Sequence, residues 1–344
     1  MMWKVEEIPE LRGFVVEWAE PGNYLFSRRD RIFRSNGIGH PIDLVAAIPA
    51  PMWRSLASRS RLCQRLLRFS VNDLIPLEDG EIFASFDRSV GLVRKNEYLP
   101  LGGLRRPCRV LRSAIARSPA GDLFFGEYID NKERGPIALY KYRSGTDRVE
   151  LVREFDAGSA RHIHGIYADP FEPSLICLTG DAPGECAIYR STDGFETMDI
   201  VGSGDESWRA VSCLFAEDAI YYGTDAEHQE NKIFRIDRET GDRSEVGKVS
   251  GTVFYSQIVN GEMFFATTAE DAPSQSENVA AVWHVDPAAG VSEVVRFEKD
   301  RWNPTLFGFG TIYFPHVQSR ADRLIFHVYA ANMDNRTFEI SLKH

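Results

Sequence analysis

The sequence predicts an all-β chain, a β-propeller of four-stranded blades, and three patterns carry that reading. A short strand-like string returns at Ile32–Ser35, Leu92–Lys95, Leu139–Tyr142, Ile188–Ser191, Ile233–Ile236, Val282–Val285 and Thr337–Ile340. Successive starts lie 60, 47, 49, 45, 49 and 55 residues apart, a blade spacing with no helical pattern between most copies. A second strand-like run precedes each copy: Tyr24–Ser27, Ile82–Ser85, Leu123–Gly126, Leu175–Leu178, Ala219–Gly223, Met263–Thr267 and Leu324–Val328. These runs are rich in β-branched and aromatic residues and bounded by Gly, Asp or Asn. Turn chemistry follows most copies, as in Arg143-Ser-Gly-Thr146, Asp193-Gly194 and Arg238-Glu-Thr-Gly241, where Gly supplies the positive φ of a tight hairpin.

The stretch from Arg161 to Ile200 is the fullest copy. His162 and His164 lead into a first strand at Gly165–Ala168, followed by Leu175–Leu178, Ala187–Arg190 and Thr197–Val201. Six copies have enough chain after the marker for a fourth strand, but the seventh has only Ser341–His344. Trp3–Ile8 is the natural donor, since pairing it with the last blade closes the ring and removes two sheet edges. Seven blades are therefore expected. Six is the competing count, because the first unit is the least regular.

The long first interval holds an insertion at residues 51–69, PMWRSLASRSRLCQRLLRF, with arginines set among Trp and Leu in a loose helical stripe. A helix covering one edge or face of the propeller is expected there, with a basic amphipathic surface for peripheral contact with an acidic membrane or partner as the alternative. No linker divides the chain, so residues 1–344 are read as one domain.

The string Ser191-Thr-Asp-Gly-Phe-Glu-Thr197-Met198 closely resembles the Asp-box turn, Ser-x-Asp-x-Gly-x-Thr-Trp, of sialidase-like (BNR-repeat) propellers. Asp193 keeps the acid, Gly194 falls one position early and Met198 replaces the Trp. The resemblance implies a fold-stabilising turn between third and fourth strands, on the side away from the active site. It stops short of a sialidase proper, because the FRIP-type segment is missing. Phe234-Arg-Ile-Asp237 comes nearest but lies in a third strand.

Site residues are expected where innermost strands start and second strands end, since those points share one face at the mouth of the central channel. Innermost starts offer Arg68, Arg112, Arg161, His162, His164, Trp208, Arg209, Tyr255 and Gln257, and second-strand ends offer Asp87, Glu127, Tyr128, Asp130, Asp181, Asp225 and Glu270. His162, His164, Glu127, Asp181, Asp225 and Tyr255 are the candidates for chemistry. Arg112, Arg161, Trp208, Arg209, Tyr128 and Gln257 are the candidates for holding substrate. Arg forks pair with carboxylates, aromatic rings stack on sugar faces and carboxylates take hydroxyl protons. His162 and His164 alternate on one strand and so share a face. They suit general acid–base work or a divalent metal, with His228 or His316 as a third imidazole, although no strong metal-ligand spacing is present.

A formal charge of −10 argues against a nucleic-acid partner, which needs a basic face. No apolar run approaches the roughly 20 residues that span a membrane. The start, MMWKVEEIPEL, lacks the apolar core of a secretory signal, so a cytoplasmic protein is expected. Five cysteines without CxxC spacing read as free thiols. Phosphate-loop, dinucleotide and GxSxG motifs are missing. The expected function is a carbohydrate-active enzyme, a glycoside hydrolase or polysaccharide lyase acting on an acidic or decorated oligo- or polysaccharide. The rival is a non-catalytic propeller serving as a glycan-binding or protein-interaction platform, with a shallow face on which those carboxylates would each be tied to an Arg.

Overall fold

In the computed structural model, which describes residues 3–317 and 323–342, seven four-stranded antiparallel sheets surround a common axis. The innermost strands of blades 1 to 7 are Val15–Glu20, Val71–Pro76, Ala116–Arg117, His162–Ala168, Ala210–Phe215, Val253–Val259 and Thr311–Tyr313. Each blade runs outward in chain order. Burial follows that order. In blade 4 the inner strands are almost wholly buried, whereas the outermost, Asp199–Gly204, is largely open to solvent. Apolar residues on both sides of an inner strand are therefore required, because each inner sheet face packs on a neighbouring blade. Phe83 of blade 2 meets Phe125 of blade 3 at 5.8 Å between ring centres, and burying each such ring contributes about 1.5–3 kcal/mol.

The count of seven holds, and so does the closing strand. Trp3–Glu7 pairs antiparallel with Arg336–Leu342 and completes blade 7. Trp3 packs against Phe264 at 5.2 Å and against His284 at 5.0 Å, anchoring the closure to blade 6. β-Bulges interrupt the first strand pair of blades 1, 2, 4, 5 and 6 near the same point. They place Glu17 in blade 1 and His164 in blade 4 as extra residues on the channel side of the fold.

The insertion is helical, as Met52–Ala57 and Arg61–Leu66. Three of its arginines turn inward. Arg54 pairs with Asp87 at 2.6 Å, Arg61 with Asp334 at 2.7 Å, and Arg65 with Asp300 at 2.5 Å. Arg65 Nε also donates to the Phe307 carbonyl at 2.7 Å. Met52, Trp53, Leu56 and Leu66 face solvent instead. Part-buried carboxylates on the propeller draw these three cations down onto it, while Arg59 and Arg68 stay exposed. The insertion is a cap. Among the described residues no helix is long and apolar enough to cross a membrane, and all five cysteines are free.

Candidate functional site at the channel mouth

Blade 4 supplies the centre of the site. His162 lies opposite Gly180 in the ladder and Ile163 opposite Thr179, after which the bulge leaves His164 as the extra residue. The two imidazoles sit 5.1 Å apart between ring centres, both buried. Blades 3 and 5 pin them from either side. His162 Nδ1 lies 3.0 Å from the Ile129 carbonyl, and His164 Nδ1 2.8 Å from the Ala210 carbonyl. A carbonyl can only accept, so each Nδ1 carries its proton and each Nε2 is the free end of its ring. Burial, and for His164 the neighbouring His162, push both imidazoles below the usual range, His164 to about 3. Both are neutral at physiological pH.

Asp181 follows Gly180 and is held at φ 132°, a conformation that costs an L residue about 1–3 kcal/mol. Its Oδ2 lies 3.1 Å from His162 Nε2 yet accepts no hydrogen bond, because the ring's proton sits on Nδ1 and Nε2 has none to donate. One ring nitrogen from each histidine and one Asp181 oxygen fall within 4.8 Å of one another. This trio could hold a metal ion. The close fit depends on Gly180: a Cβ there would stand 2.9 Å from Arg209 Cγ and 3.3 Å from His164 Cε1.

A second layer surrounds the trio. Arg209, just before the innermost strand of blade 5, reaches Asp181 through Nη2 at 3.1 Å and Asp225 through Nε at 2.9 Å. Burial raises the Asp225 carboxyl well above the usual range; Arg209 opposes this, while Glu270 and Asp181 add to it. Burial likewise raises Glu270, with the Thr252 hydroxyl and Arg209 opposing. Thr252 Oγ1 meets Glu270 at 3.1 Å. The Tyr128 ring lies 4.1 Å from that of His162, and its hydroxyl is raised by burial and by the negative field of Asp181, Asp225 and Glu270. Three carboxylates thus crowd one guanidinium, and shared protons relieve the repulsion.

The other expected site residues fall elsewhere. Glu127 is corrected from a presented carboxylate to a buried anchor. It accepts from Arg106 at 2.7 Å, the Tyr140 hydroxyl at 2.9 Å and the Ala138 amide at 3.1 Å. Trp208 is corrected from a substrate platform to blade packing, stacked on Tyr222 at 5.9 Å with the Arg243 guanidinium 4.0 Å from its ring. Tyr255 is buried edge-on against Tyr313 at 5.4 Å, in a separate channel network with Arg112, Glu17 and Asp73. Arg112 is fully buried and pairs with Glu17. Gln257 donates to the Pro315 carbonyl at 3.0 Å and lines a cavity with the far ends of the innermost strands, at the other mouth. Arg161 stays at the rim, paired with Asp130 at 2.7 Å. Neither proposed third imidazole joins the trio: His228 pairs with Glu206 at 2.9 Å, and His316 stacks on Trp18 at 5.7 Å.

One feature of this face lies largely outside the expected set, which holds only Arg68 and Arg112 of its arginines. Beneath the helical cap, blades 7, 1, 2 and 3 enclose a cavity of about 190 Å³ lined by Arg28, Arg29, Arg61, Arg65, Arg68, Arg109 and Arg112. Among the described residues no carboxylate lies within ion-pair distance of Arg28, Arg29 or Arg68, and Arg109 reaches only Asp87, at 3.9 Å. Burial and neighbouring cations lower the Arg29 and Arg109 guanidinium pKa values. The Arg28-Arg-Asp-Arg31 string at a second-strand end could have been found by the rule that found Asp181.

No family model and no curated protein matches the chain. Solved structures do. The extracellular domain of BT4673 from B. thetaiotaomicron is similar with a TM-score of 0.60 at 12% identity, covering 98% of this chain and 41% of that one. The present chain therefore spans well under half of that protein's length. The WD40 β-propeller domain of Doa1 is similar at 0.58 and 12% identity, over 96% and 94% of the two chains. A chain of the mitotic checkpoint complex gives 0.57 at 10% identity, over 99% and 94%. At such identities these likenesses carry the propeller fold alone.

Proposed function

We propose that the capped face of this propeller binds an acidic glycan and acts on it by hydrolysis or elimination. The observation that carries this reading is the arginine-lined cavity, three of whose cations, Arg28, Arg29 and Arg68, have no carboxylate within ion-pair distance among the described residues, opening on the same face as His162, His164 and Asp181. At about 190 Å³ it is smaller than the roughly 300–1,000 Å³ of drug-sized pockets and suits one charged sugar-sized group. Arg28, Arg29 and Arg68 would grip a carboxylate or sulfate. Across the channel, burial favours the protonated forms of Asp225 and Tyr128, so either can hand a proton to a leaving oxygen. The neutral imidazoles supply Nε2 lone pairs beside them.

A non-catalytic platform would tie each of these carboxylates to an arginine, and Glu127, Asp181 and Asp225 are so tied, to Arg106 and Arg209. Chemistry over simple docking is favoured instead by Glu270, which contacts no guanidinium among the described residues, and by the two buried imidazoles beside Asp181. The test is a panel of uronate-containing and sulfated glycans, following reducing ends and the absorbance of unsaturated products. Arg29→Ala with Arg68→Ala should weaken binding roughly tenfold per arginine, and Asp225→Asn should abolish turnover while sparing binding. The reading is abandoned if no acidic glycan binds wild type better than the double arginine variant. Binding without product would favour the platform.

A further inference from the structure

We infer that His162, His164 and Asp181 form a binding site for a divalent transition-metal ion. The inference goes beyond the glycan reading and stands or falls separately from it.

The first support is the direction of the rings. Both Nδ1–H groups are committed to backbone carbonyls, Ile129 at 3.0 Å and Ala210 at 2.8 Å. A metal-bound imidazole is oriented in this way, its outer N–H held by a carbonyl so that the other nitrogen offers its lone pair. Among the described residues no hydrogen-bond donor reaches either Nε2.

The second support is the carboxylate. Asp181 Oδ1 is met by Arg209 at 3.1 Å, but Oδ2 is buried and accepts no hydrogen bond. A buried carboxylate oxygen left without a donor is costly. It lies 3.1 Å from an imidazole nitrogen that, in the neutral ring, is also an acceptor. Two acceptors face each other, and a cation placed among them satisfies both. The backbone at Asp181 is held at φ 132° to deliver that oxygen, strain of the sort that gathers at ligand-holding positions.

The third support is charge. Asp181, Asp225 and Glu270 stand around one guanidinium, that of Arg209, so acid groups outnumber bases there. A dication at Asp181 takes up part of that excess. Two imidazoles select for zinc, manganese, iron, cobalt or nickel over magnesium and calcium, which prefer all-oxygen sites. Two histidines and one carboxylate also leave coordination positions open for water or a ligand oxygen.

The test uses the full chain freed of metal by chelator dialysis. Cobalt is titrated in and followed by its visible ligand-field absorption, and zinc by calorimetry. About one ion should bind per chain. His164→Ala and Asp181→Asn should each weaken binding at least about 100-fold, while His228→Ala should leave it unchanged. Circular dichroism of each metal-free variant separates loss of ligand from loss of fold. Asp181→Asn keeps an oxygen for Arg209 and is the variant least disposed to unfold. The inference is overturned if wild type binds cobalt and zinc no more tightly than a folded Asp181→Asn variant, or if His228→Ala abolishes the signal.

Discussion

Arg209 donates from Nε to Asp225 at 2.9 Å, while the Asp225 amide donates back to the Arg209 carbonyl at 2.8 Å. This reciprocal pair ties the start of one inner strand to the end of the next strand in blade 5. Arg209→Met removes the guanidinium and leaves Asp181 and Asp225 facing each other without it. A loss of about 3–5 kcal/mol is expected, as for other broken buried pairs. Asp225→Asn should cost far less, because burial already favours the neutral acid. Chemical denaturation of both variants checks the order. Equal losses would show that Asp225 is ionised.

Gly180 is a steric requirement of the site. An alanine methyl there meets Arg209 Cγ at 2.9 Å and His164 Cε1 at 3.3 Å. Gly180→Ala should therefore cost about 1–3 kcal/mol and disturb His164 and Arg209 together. Thermal melting and cobalt titration of the same sample read both effects. A variant with native stability and native cobalt binding would show that the neighbours yield freely.

The pH dependence of stability should be set in the channel rather than at the surface. Burial raises Asp73 to about 6, against hydrogen bonds from Ser85 and Ser113 and the charge of Arg112. It raises Glu17 to about 7, with Arg112 opposing. A raised acid favours the folded state while protonated. The contribution is complete below the unfolded value near 4 and is lost as pH rises through about 6 to 7. For Asp73 this amounts to about 3 kcal/mol at most. Asp73→Asn should flatten the fall in denaturation midpoint between pH about 4 and about 7. An unchanged slope would remove Asp73 from the account.

Asp193 should behave in the opposite sense and at the opposite end of blade 4. It accepts from the Thr197 amide at 3.0 Å, the Thr197 hydroxyl at 2.6 Å and the Ser191 hydroxyl at 2.8 Å. Those bonds hold its carboxyl down at about 2. Its contribution is present above the unfolded value near 4 and fades as pH falls toward about 2. Asp193→Ala should lower the thermal midpoint and leave cobalt and glycan binding untouched, because the Ser191 end of the ladder lies away from the Gly180 end. A change in either binding would couple the two faces.

The blades were legible in the sequence because every inner strand packs on both sides and so repeats as an unbroken apolar run. His162, His164, Asp181, Arg209 and Asp225 could be placed on one face from strand ends alone. Which of them converge could not, since that depends on a bulge at His164 and an unusual φ at Asp181. Glu127 misled because its partner, Arg106, comes from the loop before blade 3, where no periodic pattern announces it. Tyr255 and Gln257 lie too far along their strand to stay at the mouth with Arg209. The inward turn of Arg61 and Arg65 was hidden for a similar reason. Asp300 and Asp334, which receive them, sit far away in the chain.

Closure through Trp3–Glu7 has a consequence for how the molecule comes to exist. That strand's partner, Arg336–Leu342, lies almost a full chain length away. Contacts so distant in sequence form slowly, after the cost of bringing the ends together has been met. During synthesis the strand must therefore persist unpaired while the intervening blades assemble. An apolar strand in that position would invite pairing with a second chain. Lys4, Glu6 and Glu7 give this segment alternating charge beside Trp3 and Val5, which keeps it in solution until its partner emerges from the ribosome.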